Sequence, residues 1–118
     1  MYSKGRREME SIQAQQNGDT VTVMLRGEID HCSAEMLREQ IEYAIGPADI
    51  KHMRLDFTKV SFMDSSGIGM IIGRYKTMKA KKGTVSAAGM SPSVDRLFRM
   101  AGLHRIIPIE PAKMEENT

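Results

Sequence analysis

Phe62-Met63-Asp64-Ser65-Ser66-Gly67-Ile68-Gly69 joins the end of an apolar extended segment to the start of an amphipathic helix. Downstream, Ile68, Ile71, Ile72, Tyr75 and Met78 recur at helical spacing, so the helix begins at Ser65 or Ser66. Two adjacent hydroxyls therefore fall at a helix N-terminus, where unpaired backbone N–H groups and the macrodipole favour negative charge. Asp64 or Ser65 serving as an N-cap explains part of the pattern. A cap alone does not require Ser66-Gly67-Ile68-Gly69 behind it, a first turn nearly bare of side chains and open to an incoming active site. A phosphate on one of these serines would add about −1.5 to −2 charge and three acceptor oxygens.

Working upstream, His52 to Phe57 alternates, with Met53, Leu55 and Phe57 facing one way. Ser33 reads as the N-cap of an earlier helix whose stripe is Ala34, Leu37, Ile41, Ala44 and Ile45, stopped by Gly46-Pro47. Gly27 to Cys32 reads as the loop into it. Thr20 to Arg26 alternates, with Val21, Val23 and Leu25 on one side. Asn17-Gly18-Asp19 is a turn signal between that strand and a weaker one over Met9 to Gln16. Downstream, Lys79, Lys81 and Lys82 suit the end of the second helix, and Gly83 ends it. Thr84 to Ala88 is a short strand. Ser91-Pro92 opens a third helix with the stripe Val94, Leu97, Phe98 and Ala101, and Arg105 to Ile109 is a last strand. The order β-β-α-β-α-β-α-β predicts an α/β fold: a mixed sheet of four to five strands, mostly parallel, with an antiparallel opening hairpin.

The length, 118 residues, suits one domain. We expect a tail over residues 1–8, a domain over 9–110 and a tail over 111–118. Seventeen basic and fifteen acidic residues leave a net charge of +2. The basic clusters at Lys4 to Arg7 and Lys76 to Lys82 lack interleaved aromatics, so no nucleic-acid partner is expected. No apolar run approaches the ~18 residues of a membrane span, and a single cysteine, Cys32, fits a reducing compartment. A cytoplasmic location without membrane association is expected. The eleven methionines suit an adaptable core or a surface that must repack.

Catalytic apparatus is absent from the sequence. The three histidines stand apart, without metal-ligand spacing, and His31 beside Cys32 and Asp30 makes no nucleophile–base pair. No serine lies in a Gly-x-Ser-x-Gly elbow. Gly67, Gly69 and Gly73 have the wrong spacing for a dinucleotide loop, and an isoleucine stripe runs through them. No enzyme activity, metal or cofactor is expected. Gly69 and Gly73 lie one turn apart and leave a smooth strip for either intramolecular packing or a docking partner.

Together, Gly27-Glu28-Ile29-Asp30-His31, Phe62 to Gly69, Ile72-Gly73-Arg74-Tyr75-Lys76 and Ser91 to Leu103 resemble the STAS domain of anti-sigma factor antagonists over roughly residues 9–110. Asp30-His31, the doubled serine and Gly73-Arg74-Tyr75-Lys76 are most similar to the sporulation antagonists of anti-sigma F factor. The general stress-response antagonists tend to carry Ser-Thr or Ser-Ala at the serine pair. Cys32 follows His31 where the sporulation proteins often have a second His. The resemblance implies the STAS fold and a cycle. The unphosphorylated protein binds an anti-sigma factor that is also a serine kinase and displaces the sigma factor; that kinase phosphorylates the antagonist, and a serine phosphatase of the PP2C type reverses it. By motif match Ser66 is the acceptor and Ser65 its capping or supporting hydroxyl, with Asp30 and Asp64 on the same surface. The expected contact set is Asp30, His31, Met63, Asp64, Ser65, Ser66, Gly67, Met70 and Arg74, with Met63 and Met70 as adaptable apolar contacts and Arg74 meeting acidic groups on the kinase. The alternative reading is a STAS module that binds a nucleotide or small ligand, or serves as a subunit of a stress-signalling assembly.

Overall fold

A computed structural model describes residues 12–46 and 49–111. The expected basic tail at 1–8, the start of the first strand at Met9, the Pro47 helix stop and the tail beyond Pro111 lie outside the described residues. The elements are β1 (Ile12–Asn17), β2 (Thr20–Ile29), α1 (His31–Ile45), β3 (His52–Met63), α2 (Ser65–Ala80), β4 (Thr84–Ala88), α3 (Pro92–Met100) and a 3-10 turn (Leu103–Arg105). The four strands lie in the order β1-β2-β3-β4. β1 and β2 are antiparallel, whereas β2, β3 and β4 run parallel. The hairpin closes on Gly18 and Asp19, with Asn17 paired to Thr20 and φ of +66° at Gly18.

Both parallel connections step to the next strand in the same direction, and crossovers of one hand then place α1 and α2 on the same face. That face carries Val21, Val23 and Leu25, Met53, Leu55 and Phe57, and Val85 and Ala87, all buried. Leu37 and Ile41 of α1, Ile71 of α2 and Phe98 of α3 complete the core, each 1% exposed or less. Met53, Met63, Met70 and Met78 belong to the same cluster.

Four expectations are corrected. Gly27 to Ile29 continue β2 instead of forming a loop. Met24 pairs with Asp56 but Arg26 with Lys59, and Gly27 with Val60 but Glu28 with Phe62, so β3 carries an extra residue at each step. These bulges break the alternation that marks a strand in sequence, and Gly27 takes φ of +90°. β3 accordingly runs on through Thr58 to Met63, with buried positions shifting from Phe57 to Val60 and Met63. The cap of α1 is Asp30, one turn before the expected Ser33. The expected last strand is a 3-10 turn followed by one parallel bridge between Ile109 and Ala87. Gly102 and the short apolar spacing there favour a turn that tucks Leu103 and Ile107 into the core. After α2, Lys82 takes the left-handed conformation, with φ of +63°. A Cβ at Gly83 would stand 2.7 Å from the Lys51 carbonyl oxygen, so Gly83 is there for space.

Candidate functional site

Two helix N-termini meet at one edge of the sheet. Ile29 pairs with Met63 at the ends of the adjacent parallel strands β2 and β3, so Asp30 and Asp64 leave the sheet at the same height. The Asp64 N–H donates to the Ile29 carbonyl at 3.1 Å and ties the two exits together. The C-terminal ends of parallel strands are where α/β sheets place their functional groups.

Asp30 caps α1. Its Oδ1 accepts the Ser33 N–H at 3.0 Å and the Cys32 N–H at 3.1 Å. Ser33 completes a capping box by accepting the Asp30 N–H at 2.9 Å, and its hydroxyl donates to the Glu28 carbonyl at 2.7 Å. The backbone bond from Ser33 holds the Asp30 carboxyl below its ordinary value against the opposing effect of desolvation. Asp64 caps α2, accepting the Ser66 N–H at 2.8 Å. Ser65 is the first residue of α2, so the capping role expected for it belongs to Asp64.

Ser65 is exposed, Ser66 half-buried and Gly67 buried. A Cβ on Gly67 would lie 2.4 Å from Met63 Cγ and 3.0 Å from Ile29 Cγ2, so glycine lets α2 start hard against the strand ends. The same Cβ test at Gly69 and Gly73 meets nothing within 4 Å. Among the described residues, nothing within the chain packs into that strip.

The exposed side of Ser66 faces a cleft of about 460 Å³ between α1 and α2, lined by His31, Ala34, Glu35, Arg38, Ser66, Gly69 and Met70. Arg38 and Glu35 were not among the expected contact residues. Their spacing from His31 (i+4 for Glu35, i+7 for Arg38) is the signal that would have found them. Phe62, 49% exposed beside the same strand end, is a further missed surface residue. Glu35 and Arg38 are bonded to one another; the contact holds the Glu35 carboxyl below its ordinary value.

Four expected contact residues are not on this surface: the buried Gly67, Met63, Met70 and Arg74. Met63 and Met70 are 7% and 6% exposed and pack in the core, with Met70 touching only the cleft floor. Arg74 is 5% exposed, and its Nη1 donates to Glu42 Oε2 of α1 at 2.9 Å. The buried guanidinium is engaged by Glu42 of the neighbouring helix, so Arg74 joins two helices and does not reach outward. Asp30, His31, Asp64, Ser65 and Ser66 do share the one edge.

A second polar cluster lies on the sheet face opposite the helices. Glu110 accepts from Arg54 Nε at 2.8 Å and from the Ser86 hydroxyl, while His52 Nε2 lies 2.9 Å from Ser86 Oγ and Nδ1 2.5 Å from Thr84 Oγ1. Serine, histidine and carboxylate are thus adjacent. Ser86, however, is 3% exposed and gives its proton to the carboxylate, so the cluster holds structure and offers no nucleophile. Among the described residues no three His, Cys, Asp or Glu come together as a metal site, and no helix is long and apolar enough to cross a membrane.

The family model of the STAS domain matches residues 11–116. The chain is 39% identical over 98 residues to the anti-sigma F factor antagonist of Paenibacillus polymyxa, covering 83% of this chain and 84% of that one. The chain belongs to the STAS-domain anti-sigma factor antagonists. The anti-sigma-B factor antagonist of Bacillus subtilis is 37% identical over 106 residues, covering 89% of this chain and 94% of its own. Among solved structures, the anti-sigma factor antagonist SpoIIAA in its unphosphorylated form superposes with a TM-score of 0.75 at 33% identity, covering 89% of this chain and 90% of that one. The Bacillus cell-fate determinant SpoIIAA in its phosphorylated form gives 0.69 at 32%, covering 89% and 94%. The STAS fold read from the sequence is thereby shown.

Proposed function

We propose that this chain is a sporulation-type antagonist that unmodified binds an anti-sigma factor with serine-kinase activity, so freeing a sigma factor. The kinase transfers the γ-phosphoryl group of ATP to Ser66 Oγ, the hydroxyl proton is lost and ADP leaves. The phosphorylated surface no longer binds, and a serine phosphatase of the PP2C type restores the hydroxyl by hydrolysis. The chain itself carries out neither step. It acts by binding, in the cytoplasm.

The observation that carries this reading is the place of Ser66. On the first turn of α2 it lines an open cleft, half-buried, while its own N–H is already held by Asp64. SpoIIAA, solved in unphosphorylated and phosphorylated forms, supports a switch of this kind. Phosphate at Ser66 would add about −1.5 to −2 charge next to the Asp30 and Asp64 carboxylates. A partner surface fitted to a neutral hydroxyl then meets concentrated negative charge, and like charges in contact cost several kcal/mol. Asp30, His31, Asp64, Ser65, Ser66 and the Gly69-Gly73 strip form the contact surface, while Met63, Gly67, Met70 and Arg74 set its shape from beneath.

The test uses purified anti-sigma kinase with ATP. Ser66→Ala is expected to bind as the unmodified chain does and to take up no phosphate. Ser66→Asp is expected to bind at least tenfold more weakly. Mass spectrometry that placed the phosphate on Ser65, or tight binding by Ser66→Asp, would overturn the reading.

A further inference from the structure

The cleft beside Ser66 has a second wall, and its chemistry matches what would be added to that serine. His31, Ala34, Glu35 and Arg38 line it from α1, opposite Ser66 and Gly69. Among the described residues the Arg38 guanidinium is held by carboxylates alone: Glu35, Glu42 Oε1 at 3.1 Å and Glu39 Oε2 at 3.8 Å. These side chains are 63%, 47% and 65% exposed. Exposed pairs of this kind hold weakly and exchange partners readily. Glu42, moreover, has a second and buried partner in Arg74. A phosphate dianion offers more charge than any one carboxylate and matches the planar guanidinium fork.

Building on Ser66 as the acceptor, we infer that this cleft is an intramolecular phosphate-holding site, in which Arg38, with His31 beside it, receives the phosphate of phosphorylated Ser66 and gives up Glu35. The phosphate then lies across the cleft, bridging α2 to α1. Glu35 is released to the surface. The modified edge thereby presents a covered cleft and a free carboxylate where the unmodified edge presents an open cleft and a paired one. Addition of the phosphate and departure of Arg38 from Glu35 act in the same direction against a docked partner.

Charged groups face this phosphate from both sides. Asp30, His31, Glu35 and Arg38 stand on the α1 side, and Asp64 with the N-terminus of α2 on the other. The two cap carboxylates oppose the second ionisation of the phosphate; Arg38 and the helix N-terminus favour it. The share due to Arg38 is isolated by changing that residue and Glu35 separately against a constant background.

Phosphoserine is installed at position 66 of the full chain by genetic-code expansion, and the phosphate is titrated by phosphorus NMR. Arg38→Gln is expected to raise the second phosphate pKa by about half a unit, since a cation within ~4–6 Å favours the charged form. Arg38→Lys is expected to restore part of the difference. Glu35→Gln, which frees Arg38, is expected to lower the pKa. Titration curves that coincide for the parent, Arg38→Gln and Glu35→Gln would overturn the inference. Should Arg38→Gln fail to fold, Glu35→Gln decides alone: a lowered pKa supports the site and an unchanged one overturns it. No kinase enters this measurement, so a kinase that ignored Ser66 would sink the proposed function and leave the titration result intact.

Discussion

Arg74 lies on the inner side of α2 with 6% of its side chain exposed, while Glu42, its partner across the helix pair, keeps 47% exposed. Its Nε is buried without a hydrogen-bond partner among the described residues, so one bond carries the compensation for a buried charge. The two ends of this pair are therefore unequal. Removing Glu42 strands the guanidinium in the interior, whereas removing the guanidinium leaves a carboxylate that water can solvate. Stranding one member of a fully buried pair costs about 3–5 kcal/mol, and the half-solvated site here reduces that. Glu42→Gln is expected to destabilise the chain by about 2 kcal/mol, and Arg74→Met by less than half as much, because its straight apolar chain fills the same space. Urea unfolding of both variants checks this, and the order of the two matters more than either value. Arg74 was readable as internal. It continues the row Gly67, Met70, Ile71, Arg74 and Met78, all buried on one face of α2. A positive charge in an apolar row reads as a contact for a partner only when the partner is assumed to lie outside.

The glycines of α2 separate two demands that look alike in sequence. Gly67 is pressed against Met63 and Ile29, whereas Gly69 and Gly73 face open space. A methyl at Gly67 must displace Met63, and overpacking of this kind costs about 1–3 kcal/mol, more than the helix gains by losing a glycine. Gly67→Ala is therefore expected to lower stability by about 1 kcal/mol. Gly69→Ala and Gly73→Ala are expected to raise it by about 0.5–1 kcal/mol each, since glycine weakens a helix interior. If the strip is a docking surface, the same two changes weaken binding to the anti-sigma kinase; thermal melts paired with titration calorimetry read both effects on one sample. Stability that rose while affinity stayed unchanged would remove Gly69 and Gly73 from the contact surface. At this scale the helices, the hairpin and the first and last regular strands were legible from periodicity and turn chemistry. The far ends of β2 and β3 were not, because their bulges move the buried positions from Phe57 to Val60 and Met63 and destroy the alternation. For the site, Ser33 masked Asp30 as the cap of α1, while the serine pair and the Asp64 cap stood out locally. Arg38 and Glu35 did not, because they meet Ser66 only when α1 packs beside α2.

Across the whole molecule the two sheet faces divide the work: the helix-covered face supplies the core and the switch edge, and the other anchors the chain's return. After the 3-10 turn the backbone comes back to β4, with the Ala87 N–H donating to the Pro108 carbonyl and the Glu110 N–H to the Ala87 carbonyl, 2.9 Å and 2.7 Å long. Glu110 then reaches Arg54 and Ser86, which fixes this segment to β3 and β4 together. Because the Ser86 hydroxyl donates to the carboxylate, its oxygen is free to accept from His52 Nε2, while His52 Nδ1 lies against the Thr84 hydroxyl. Partial burial pushes the Glu110 carboxyl up, but the bonds from Ser86 and Arg54 more than offset it, and its pKa lies below the ordinary 4.5. Glu42 is shifted the same way, first by the hydrogen bond from Arg74. A folded-state pKa below the unfolded one means that the unfolded chain binds protons first as the pH drops. The stability these carboxylates contribute is thus complete above about pH 5 and is lost as the pH falls through 4.5 and below. Glu110 is the more shielded of the two, with 27% of its side chain exposed. Glu110→Gln keeps the shape and removes the charge, and it is expected to cost about 1 kcal/mol at pH 7. As the pH falls below the ordinary carboxylate range the parent carboxylate is itself progressively protonated and the difference narrows. Urea unfolding at pH 7 and pH 3 measures the two gaps. A gap of equal size at both would show that Arg54 and Ser86 hold Glu110 by shape alone, and that the anchoring of this segment owes nothing to its charge.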